Sequence, residues 1–309
     1  MHRVQDQGRG HGEGARSVAL IDLHVHTTAS DGSVAPVDIL NLARRDGLKA
    51  IAITDHDTVA GVNAALGAGI PPGLGFVTGI EISAARPAAI AGKGSFHVLG
   101  YGLEPAHREL NHHLVTLQHA RRQRNPEILL RLGALGMPLT MEEVLAVAGG
   151  KGQIGRPHIA AAMVAKGQVG TIDEAFDRFL GTGKPAYVDK YRLACDQAIG
   201  LIRAAGGLAF LAHPGLLNLG SPQAYEALVA DLVAMGLEGL EVFYPEHDPA
   251  QTAFFATLAG RFGLLASGGT DFHGTAKPQI RLGCGRGDFT VPDDVFTALR
   301  ARLGPSLSS

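Results

Sequence analysis

Two histidines one residue apart, His24 and His26, are the first residues in the chain whose type and spacing indicate chemistry. They follow an apolar run from Val18 that predicts a short buried strand. Because alternate side chains of a strand point to the same face, the two imidazoles project together and can chelate one metal ion. A single pair of this kind is weak evidence, and it gains weight because similar side chains recur along the chain.

Further histidines and carboxylates follow, each beside an apolar run that predicts a strand. With the first pair they form a set of nine candidate metal ligands: His24, His26, Asp31, His56, Glu81, His97, His213, Asp271 and His273. Nitrogen and oxygen donors without a thiolate suit divalent ions such as manganese, iron or zinc. Nine donors are too many for one ion and sufficient for two or three ions that share a carboxylate.

The segments that must position these residues alternate between strand and helix, which is typical of a parallel α/β fold. We expect the candidate ligands at the C-terminal ends of the strands. A barrel gathers many such ends at one mouth, whereas an open doubly wound sheet offers a single switch point. The sequence therefore predicts a barrel from residues 18–105 and 185–303, an inserted helical cap at 106–184 and a disordered polar tail at 1–17.

The composition restricts the classes of function. A chain of 309 residues with a net charge of −2 argues against broad binding to a membrane or to duplex DNA. Cys195 and Cys284 are too few for a disulfide framework and are predicted to be reduced. No apolar run approaches the ~18 residues of a spanning helix, and the polar N-terminus has no secretion signal, so a cytoplasmic enzyme is expected.

The motifs around the candidate ligands resemble those of the PHP (polymerase and histidinol phosphatase) family of metal-dependent phosphoesterases. They are Asp22-Leu23-His24-Val25-His26, Thr54-Asp55-His56-Asp57, Gly79-Ile80-Glu81, His97-Val98-Leu99-Gly100-Tyr101, Ala212-His213-Pro214 and Gly269-Thr270-Asp271-Phe272-His273. The resemblance spans nearly the whole chain and implies a distorted (β/α)₇ TIM-like barrel. It also implies three groups of ligands: His24, His26, Glu81 and Asp271; then His97 and His213 with Glu81 as the bridge; and Asp31, His56 and His273.

The helical insertion narrows the resemblance to the subgroup of 3′,5′-nucleoside bisphosphate phosphatases and 5′→3′ exoribonucleases. The matching segments are Arg121-x-x-Arg124, Gly155-Arg156-Pro157-His158 and Gly183-Lys184-Pro185-Ala186-Tyr187-Val188. The subgroup uses basic residues of this cap to bind substrate. We therefore expect Arg156, His158 and Lys184 to bind the phosphate that is not cleaved. Arg121 and Arg124 are candidates for the same role, although their run also fits a solvated helix face.

The function that the resemblance implies is hydrolysis of a phosphate monoester of nucleoside 3′,5′-bisphosphates such as pAp, and of the 5′ ends of short RNA. Two or three manganese, iron or zinc ions would hold a bridging hydroxide as the nucleophile. Asp55 and Asp57 are expected to orient His56 or neighbouring backbone. The expected partner is a small nucleotide or a short RNA, and the sequence does not indicate an oligomeric state.

Two other functions remain open from the sequence. One is a phosphatase for another small phosphate, such as histidinol phosphate, and the other is a non-catalytic PHP accessory module. The presence of all nine candidate ligands favours an enzyme over the accessory module. Four histidines match no motif and are predicted to be surface residues: His107, His112, His113 and His247.

Overall fold

A computed structural model describes residues 20–87, 90, 95–149 and 153–304. The tail predicted at residues 1–17 lies outside these ranges. The strands are β1 (Leu20–Val25), β2 (Leu48–Ile53), β3 (Gly75–Ala85), β4 (Phe96–Tyr101), β5 (Leu193–Ala194), β6 (Leu208–Leu211), β7 (Gly239–Phe243) and β8 (Leu265–Gly268). The α-helices are α1 (Pro36–Arg45), α2 (Ala60–Ala68), α3 (Arg108–Ala134), α4 (Met141–Val147), α5 (Arg156–Ala165), α6 (Ile172–Ala175), α7 (Cys195–Ala204), α8 (Pro222–Ala234), α9 (Pro249–Phe262) and α10 (Asp293–Leu303).

The strands form one mixed sheet in the order β1-β2-β3-β4-β6-β7-β8, with β5 paired to β3. The three strands β1 to β3 are parallel, as are β6 to β8. Strand β4 is antiparallel to both of its neighbours. Residues 86–95 alone connect β3 to β4, and an antiparallel pair needs no crossover helix whereas a parallel pair does. The prediction of a wholly parallel sheet is therefore wrong for β4.

The two ends of the sheet approach each other without forming a continuous ladder. A single bridge joins Val25 to Phe272, and the His26 N–H donates to the Phe272 carbonyl at 2.9 Å. Strand β8 is only four residues long, and in the part of the chain that the structure describes it contributes no paired register with β1. The closed (β/α)₇ barrel that was predicted is not confirmed, and the architecture is an α/β fold with an open eight-stranded sheet.

The strands are apolar because helices cover the sheet. In β2, Ala50 and Ala52 belong to one buried cluster, whereas Ile51 and Ile53 belong to another that includes residues of α1 and α2. A strand that is buried on both faces has this continuous apolar composition. Helix α10 adds Phe296 and Leu299 to the first cluster. The packing fixes the strand edges from which the candidate ligands project.

Helices α3 to α6, together with a π-helix at Phe176–Leu180, lie between β4 and β5 in the chain. They have a buried apolar cluster of their own, which includes Ile128, Ile159, Met163 and Leu180. The sequence predicted helices in this region, and the division of the chain into a barrel and a cap remains a prediction. Among the described residues, no helix is long and apolar enough to cross a bilayer.

The close approach of Gly269 to β1 gives a test of the fold. A Cβ at this position would lie 2.3 Å from the His24 backbone nitrogen, so we expect Gly269→Ala to lower the free energy of unfolding by about 1–3 kcal/mol, as overpacking does. Gly260 in α9 is the matched control, because a Cβ there meets no atom within 4 Å. Chemical denaturation of both variants makes the measurement. Equal stability of Gly269→Ala and the wild type would contradict the packing described.

Candidate metal centre

The carboxylate of Glu81 lies in the middle of the candidate ligands, and its side chain is 1% exposed. Its Oε1 atom is 2.7 Å from His97 Nδ1 and 3.0 Å from His213 Nε2. The two imidazole nitrogens are 3.2 Å apart. One oxygen of Glu81 therefore faces the pair of histidines that was predicted to hold a metal with it.

The other oxygen of Glu81, Oε2, faces three further imidazoles. It lies 3.3 Å from His24 Nε2, 3.1 Å from His26 Nε2 and 3.0 Å from His56 Nδ1. Asp271 completes this side of the cluster, with its Oδ1 atom 3.2 Å from His26 Nε2 and 3.6 Å from His24 Nε2. The two oxygens of one carboxylate thus face two separate sets of donors.

Asp31 brings together the remaining candidates. Its Oδ1 atom lies 3.7 Å from His26 Nδ1 and 3.4 Å from His273 Nε2, and its Oδ2 atom lies 3.8 Å from His56 Nε2. The ligand atoms of these four residues lie within 4.8 Å of one another. All nine predicted ligands are therefore in one continuous cluster. The sets overlap, since His26 and His56 each contact both Asp31 and Glu81, so the division of ligands among ions remains a prediction.

The positions of two candidates on their strands differ from the prediction. His97 is the second residue of β4, and Glu81 lies in the middle of β3, so neither follows the C-terminal end of a strand. His97 nevertheless reaches the cluster because β4 is antiparallel, which puts its N-terminal end at the edge where the parallel strands end.

The charges in the cluster act strongly on one another. Burial by itself raises the pKa of Glu81, but the imidazoles of His56 and His97 outweigh it and hold that pKa well below its usual range. The pKa of Asp31 is also held well below its usual range, because nearby imidazoles outweigh its burial. For His26, burial lowers the pKa, yet the nearby carboxylates of Asp271 and Glu81 raise it to about 9. The carboxylates are therefore ionised and are available as ligands.

The unpaired atoms of the cluster fit a divalent cation. Within the nine candidate ligands, four buried atoms have no partner with hydrogen-bond geometry among the described residues: Asp31 Oδ1, His56 Nδ1, Glu81 Oε2 and His213 Nδ1. His56 Nδ1 and Glu81 Oε2 are 3.0 Å apart without that geometry. Buried polar atoms are costly when unpaired, and nitrogen and oxygen donors that converge in this way match the preferences of manganese, iron and zinc.

Three residues that sequence reasoning missed support the ligands. Glu241 is fully buried and bonds to His24 and to the backbone of His213. Tyr244 and Lys277 both donate to Asp271 Oδ2, at 3.0 and 2.5 Å. A signal for Glu241 was present in the sequence, because it is the one charged residue in the apolar strand β7.

Asp55 and Asp57 fix the segments that carry the ligands. Asp55 accepts hydrogen bonds from the Thr27 N–H at 2.8 Å and from the Ser30 hydroxyl at 2.5 Å, so it holds the loop that leads to Asp31. Asp57 accepts the Ser83 N–H at 2.7 Å, next to β4. Both residues bind backbone close to the candidate ligands, and their role in orienting it remains a prediction.

His247 corrects one prediction for a surface residue. It is buried, with Nε2 accepting the Gly215 N–H at 3.1 Å and Nδ1 donating to the Val242 carbonyl at 2.9 Å. The imidazole ties the loop after β6 to the end of β7. His107 is only partly buried and accepts the Leu110 N–H at the start of α3.

A cavity of about 180 Å³ opens beside the ligand cluster. It is lined by Asp31, His56, Ser83, Ser95, His97, Arg121, Arg124, Arg156, Pro157, Phe176, Lys190 and Arg192. Three of its cations were predicted from the sequence, whereas Lys190 and Arg192 were missed. Arg121 and Arg124 are buried, so the solvated helix face that was an alternative for them is wrong.

Two other predicted substrate residues are placed differently. Lys184 is exposed and is not among the lining residues, so the structure gives its predicted role no support. His158 is buried at the start of α5, and its Nδ1 accepts the Gly155 N–H at 3.1 Å. That nitrogen is already occupied, although Asp31 acts electrostatically on the imidazole.

Two of the five cations of the cavity, Arg124 and Arg156, form no ion pair with a carboxylate among the described residues, whereas Arg192 pairs with Asp189. Arg121 Nη2 and Lys190 Nζ share Asp57 Oδ2, at 2.7 and 3.2 Å. The Nε atoms of Arg121 and Arg124 are buried without a hydrogen-bond partner among the described residues. Burial and then the neighbouring guanidinium groups, beginning with Arg121, lower the pKa of Arg124 to about 9. An anion in the cavity would relieve this repulsion and accept the free donors.

Comparisons with known proteins identify a family and several relatives of this chain. Residues 22–133 match the family model described as PHP domain. The chain is 33% identical to a 3′,5′-nucleoside bisphosphate phosphatase of Chromobacterium violaceum over 83% of its own length and 88% of the relative. It is 34% identical to a 5′-3′ exoribonuclease of Haemophilus influenzae, over 82% of the chain and 89% of the relative.

Two further comparisons give a relative with a different activity and a solved structure with a similar fold. The chain is 34% identical to a phosphoribosyl 1,2-cyclic phosphate 1,2-diphosphodiesterase of Eggerthella lenta, over 82% of the chain and 94% of the relative. The structure is similar to that of a metal-dependent phosphoesterase from Bifidobacterium adolescentis, with a TM-score of 0.80 and 32% identity over 93% of this chain and 96% of the other.

The chain has a buried cluster of imidazoles and carboxylates beside a cationic cavity, and it shares its α/β fold with phosphoesterases. These features define a metal-dependent hydrolase that acts on phosphoric esters. The chain belongs to the PHP domain family.

The central position of Glu81 leads to a prediction about metal binding. A ligand that binds only the folded state stabilises it, by about 2.7 kcal/mol at 100 times its Kd. We expect Mn²⁺ to raise the melting temperature of the chelator-treated wild type and to have little effect on Glu81→Gln. Glu238→Gln is the control, because Glu238 lies outside the cluster, where it approaches Arg302 at 3.6 Å. An equal Mn²⁺-dependent rise in Glu81→Gln would contradict the central role of Glu81.

Proposed function

We propose that this protein hydrolyses a phosphate monoester of nucleoside 3′,5′-bisphosphates, and of the 5′ ends of short RNA. One observation carries the proposal: five cations line the same cavity as the candidate ligands Asp31, His56 and His97. A substrate with two phosphates needs positive charge for the phosphate that is not cleaved, at a distance from the reacting centre. The names of two relatives, a bisphosphate phosphatase and an exoribonuclease, support the same class of substrate.

Arg156 has the geometry of a preorganised phosphate donor. Its guanidinium lies 5.6 Å from the centre of the Phe176 ring and 5.3 Å from that of Tyr187. Its Nη1 atom donates to the Leu180 carbonyl at 2.9 Å. These three contacts hold the planar group in place, and the fixed fork of an arginine suits two oxygens of one phosphate. We assign the uncleaved phosphate to Arg156, with Arg124 and Arg192 beside it in the cavity.

Asp57 connects this binding region to the ligand cluster. It pairs with Arg121 of α3 and with Lys190 of the segment before β5. It also lies one residue after His56. The shared carboxylate holds the two cations together in the lining of the cavity. In our proposal they lie against the ribose that joins the two phosphates.

Two or three manganese, iron or zinc ions in the cluster would supply the positive charge that the reaction needs at the phosphoryl oxygens and lower the pKa of water. The residues that would hold them are His24, His26, Asp31, His56, Glu81, His97, His213, Asp271 and His273. Glu81 has one oxygen facing each set of donors and would be the shared ligand. Tyr244 and Lys277 fix Oδ2 of Asp271, so Oδ1 remains directed at the imidazoles.

The direct test is phosphate release with Mn²⁺ from pAp, AMP, a short 5′-phosphorylated RNA, histidinol phosphate and a ribose 1,2-cyclic phosphate. We expect fast release from pAp, slow release from AMP and none after chelation. Turnover of histidinol phosphate alone, or of the cyclic ester alone, would replace the proposed substrate. The absence of metal-dependent release from every compound would contradict an enzyme and favour an accessory module.

The role of Arg156 can be measured separately from catalysis. Loss of a hydrogen bond to a charged group costs roughly 1.5–3 kcal/mol, so Arg156→Ala should raise the KM for pAp by roughly 10- to 100-fold. The KM for p-nitrophenyl phosphate, which has a single phosphate, should remain within about twofold. Lys184→Ala is the matched cation control, because Lys184 is exposed outside the cavity. A similar rise of the KM for pAp in Lys184→Ala would contradict the binding site as placed.

Lys190 gives a pH dependence with a defined sign. Burial lowers the pKa of its ammonium to about 8, against the opposing effect of Asp57 and with a further lowering by Arg121 and Arg124. The positive charge is present below that pH and is lost above it. We therefore expect the KM for pAp to rise between pH 7 and pH 9.

Lys190→Arg should reduce this rise, because a guanidinium has a higher intrinsic pKa than an ammonium group and keeps its charge to a higher pH. The measurement is the KM for pAp against pH for both proteins, with p-nitrophenyl phosphate as the reference substrate. A rise of equal size in the wild type and Lys190→Arg would show that Lys190 is not its source.

A further inference from the structure

The buried carboxylate of Glu241 is not used by the function proposed above. It lies at the centre of β7 with no exposure to solvent. An ionised carboxylate in such a place is costly unless hydrogen bonds compensate it. Both oxygens of Glu241 are compensated, and both partners belong to candidate metal ligands.

The first partner is the imidazole of His24. Its Nδ1 atom is 2.8 Å from Glu241 Oε1. Because a carboxylate only accepts, Nδ1 carries the proton, and the opposite nitrogen Nε2 is then free to bind a cation. That nitrogen faces Glu81 Oε2 at 3.3 Å. Glu241 thus determines both the tautomer and the ring orientation of one ligand.

The second partner is the backbone of His213. Its N–H donates to Glu241 Oε2 at 2.6 Å. His213 has a φ angle of 27°, a backbone conformation that residues other than glycine rarely adopt. A residue in such a conformation persists only when its surroundings hold it there. The strained backbone directs His213 Nε2 to Glu81 Oε1, at 3.0 Å.

We propose that Glu241 is a positioning residue that couples the two sides of the metal centre. It holds His24, which faces one oxygen of Glu81, and His213, which faces the other. A single buried side chain on β7 therefore sets the distance between the two ligand groups, which come from β1 and from the loop after β6. The inference rests on the proposed metal-dependent function, and it concerns how the ligands are held in place.

A purely structural role for Glu241 would have different consequences. Such a role would affect the folding of β7 and would leave the metal affinity of the folded protein unchanged. A coupling role predicts weaker binding on both sides of Glu81 when only Glu241 is altered. The distinction can be measured on folded protein, before any substrate is added.

The test is Mn²⁺ titration of chelator-treated Glu241→Gln by calorimetry, with folding checked by circular dichroism. An amide keeps the shape of the side chain but cannot accept at both ends. Loss of a group that orients metal ligands typically weakens affinity by 10- to 100-fold. We expect a loss of affinity of that size for at least two Mn²⁺ ions. At saturating Mn²⁺, we expect the fold-change in kcat to exceed the fold-change in KM. Glu238→Gln is the control, because Glu238 lies outside the cluster, near Arg302.

A second measurement needs no metal. In protein with ¹⁵N-labelled histidine, we expect a slowly exchanging Nδ1 proton of His24 that exchanges faster in Glu241→Gln, because an amide oxygen accepts more weakly than a carboxylate. If Glu241→Gln does not fold, Glu241→Asp replaces it. That variant keeps the charge on a shorter side chain, and it should still weaken Mn²⁺ binding.

Three results would overturn the inference. They are wild-type affinity for every ion in the variant, loss of one ion with normal affinity for the others, and an unchanged His24 proton. Failure of the proposed function is distinguishable from these results, because the wild type itself would then bind no Mn²⁺ or release no phosphate.

Discussion

The structure depends on the burial of one carboxylate among imidazoles. Glu81 is almost completely buried, and five histidine nitrogens lie within 3.3 Å of its two oxygens. Such a group is stable only while its charge is compensated. The donors that compensate it come from strands far apart in the sequence, so the sheet must hold their ends at fixed distances. The arrangement of strands, loops and supporting carboxylates follows from this requirement.

Three supporting carboxylates hold the loops and strand ends that carry the candidate ligands. Asp55 fixes the loop after β1, Asp57 ties β3 to the cations of the cavity, and Glu241 holds ligands on both sides of Glu81. Each of them accepts at least two hydrogen bonds, so few of their own lone pairs remain unpaired. The candidate ligands are consequently held in place by contacts within the protein. The cationic cavity beside them offers the opposite charge to a substrate that is itself an anion.

Much of the candidate site could be predicted from the sequence, because a metal ligand is defined by its residue type and by a strand beside it. The nine ligands form one cluster for that reason. The antiparallel direction of β4 could not be predicted. A short connection between two strands indicates an antiparallel pair, but its length is known only once the end of β3 and the start of β4 are known. A closed barrel was expected from strand alternation, but closure depends on pairing between β1 and β8, which no local pattern specifies.

The residues that sequence reasoning missed act through distant contacts. Glu241 meets His24 from a strand 217 residues away in the chain. Lys190 and Arg192 belong to no motif, and they reach the cavity only because the segment before β5 folds beside Asp57. Lys184, by contrast, lies in a motif and is exposed. A motif identifies which residue types recur, whereas the direction of a side chain depends on packing that the motif does not contain.

The most direct measurement is a crystal structure of the protein with Mn²⁺, using anomalous scattering to locate the ions. The account predicts one anomalous peak on each side of the Glu81 carboxylate. One peak would be within bonding distance of Oε1 and His213, and the other within bonding distance of Oε2 and His24. Peaks elsewhere, with none bonded to Glu81, would contradict it.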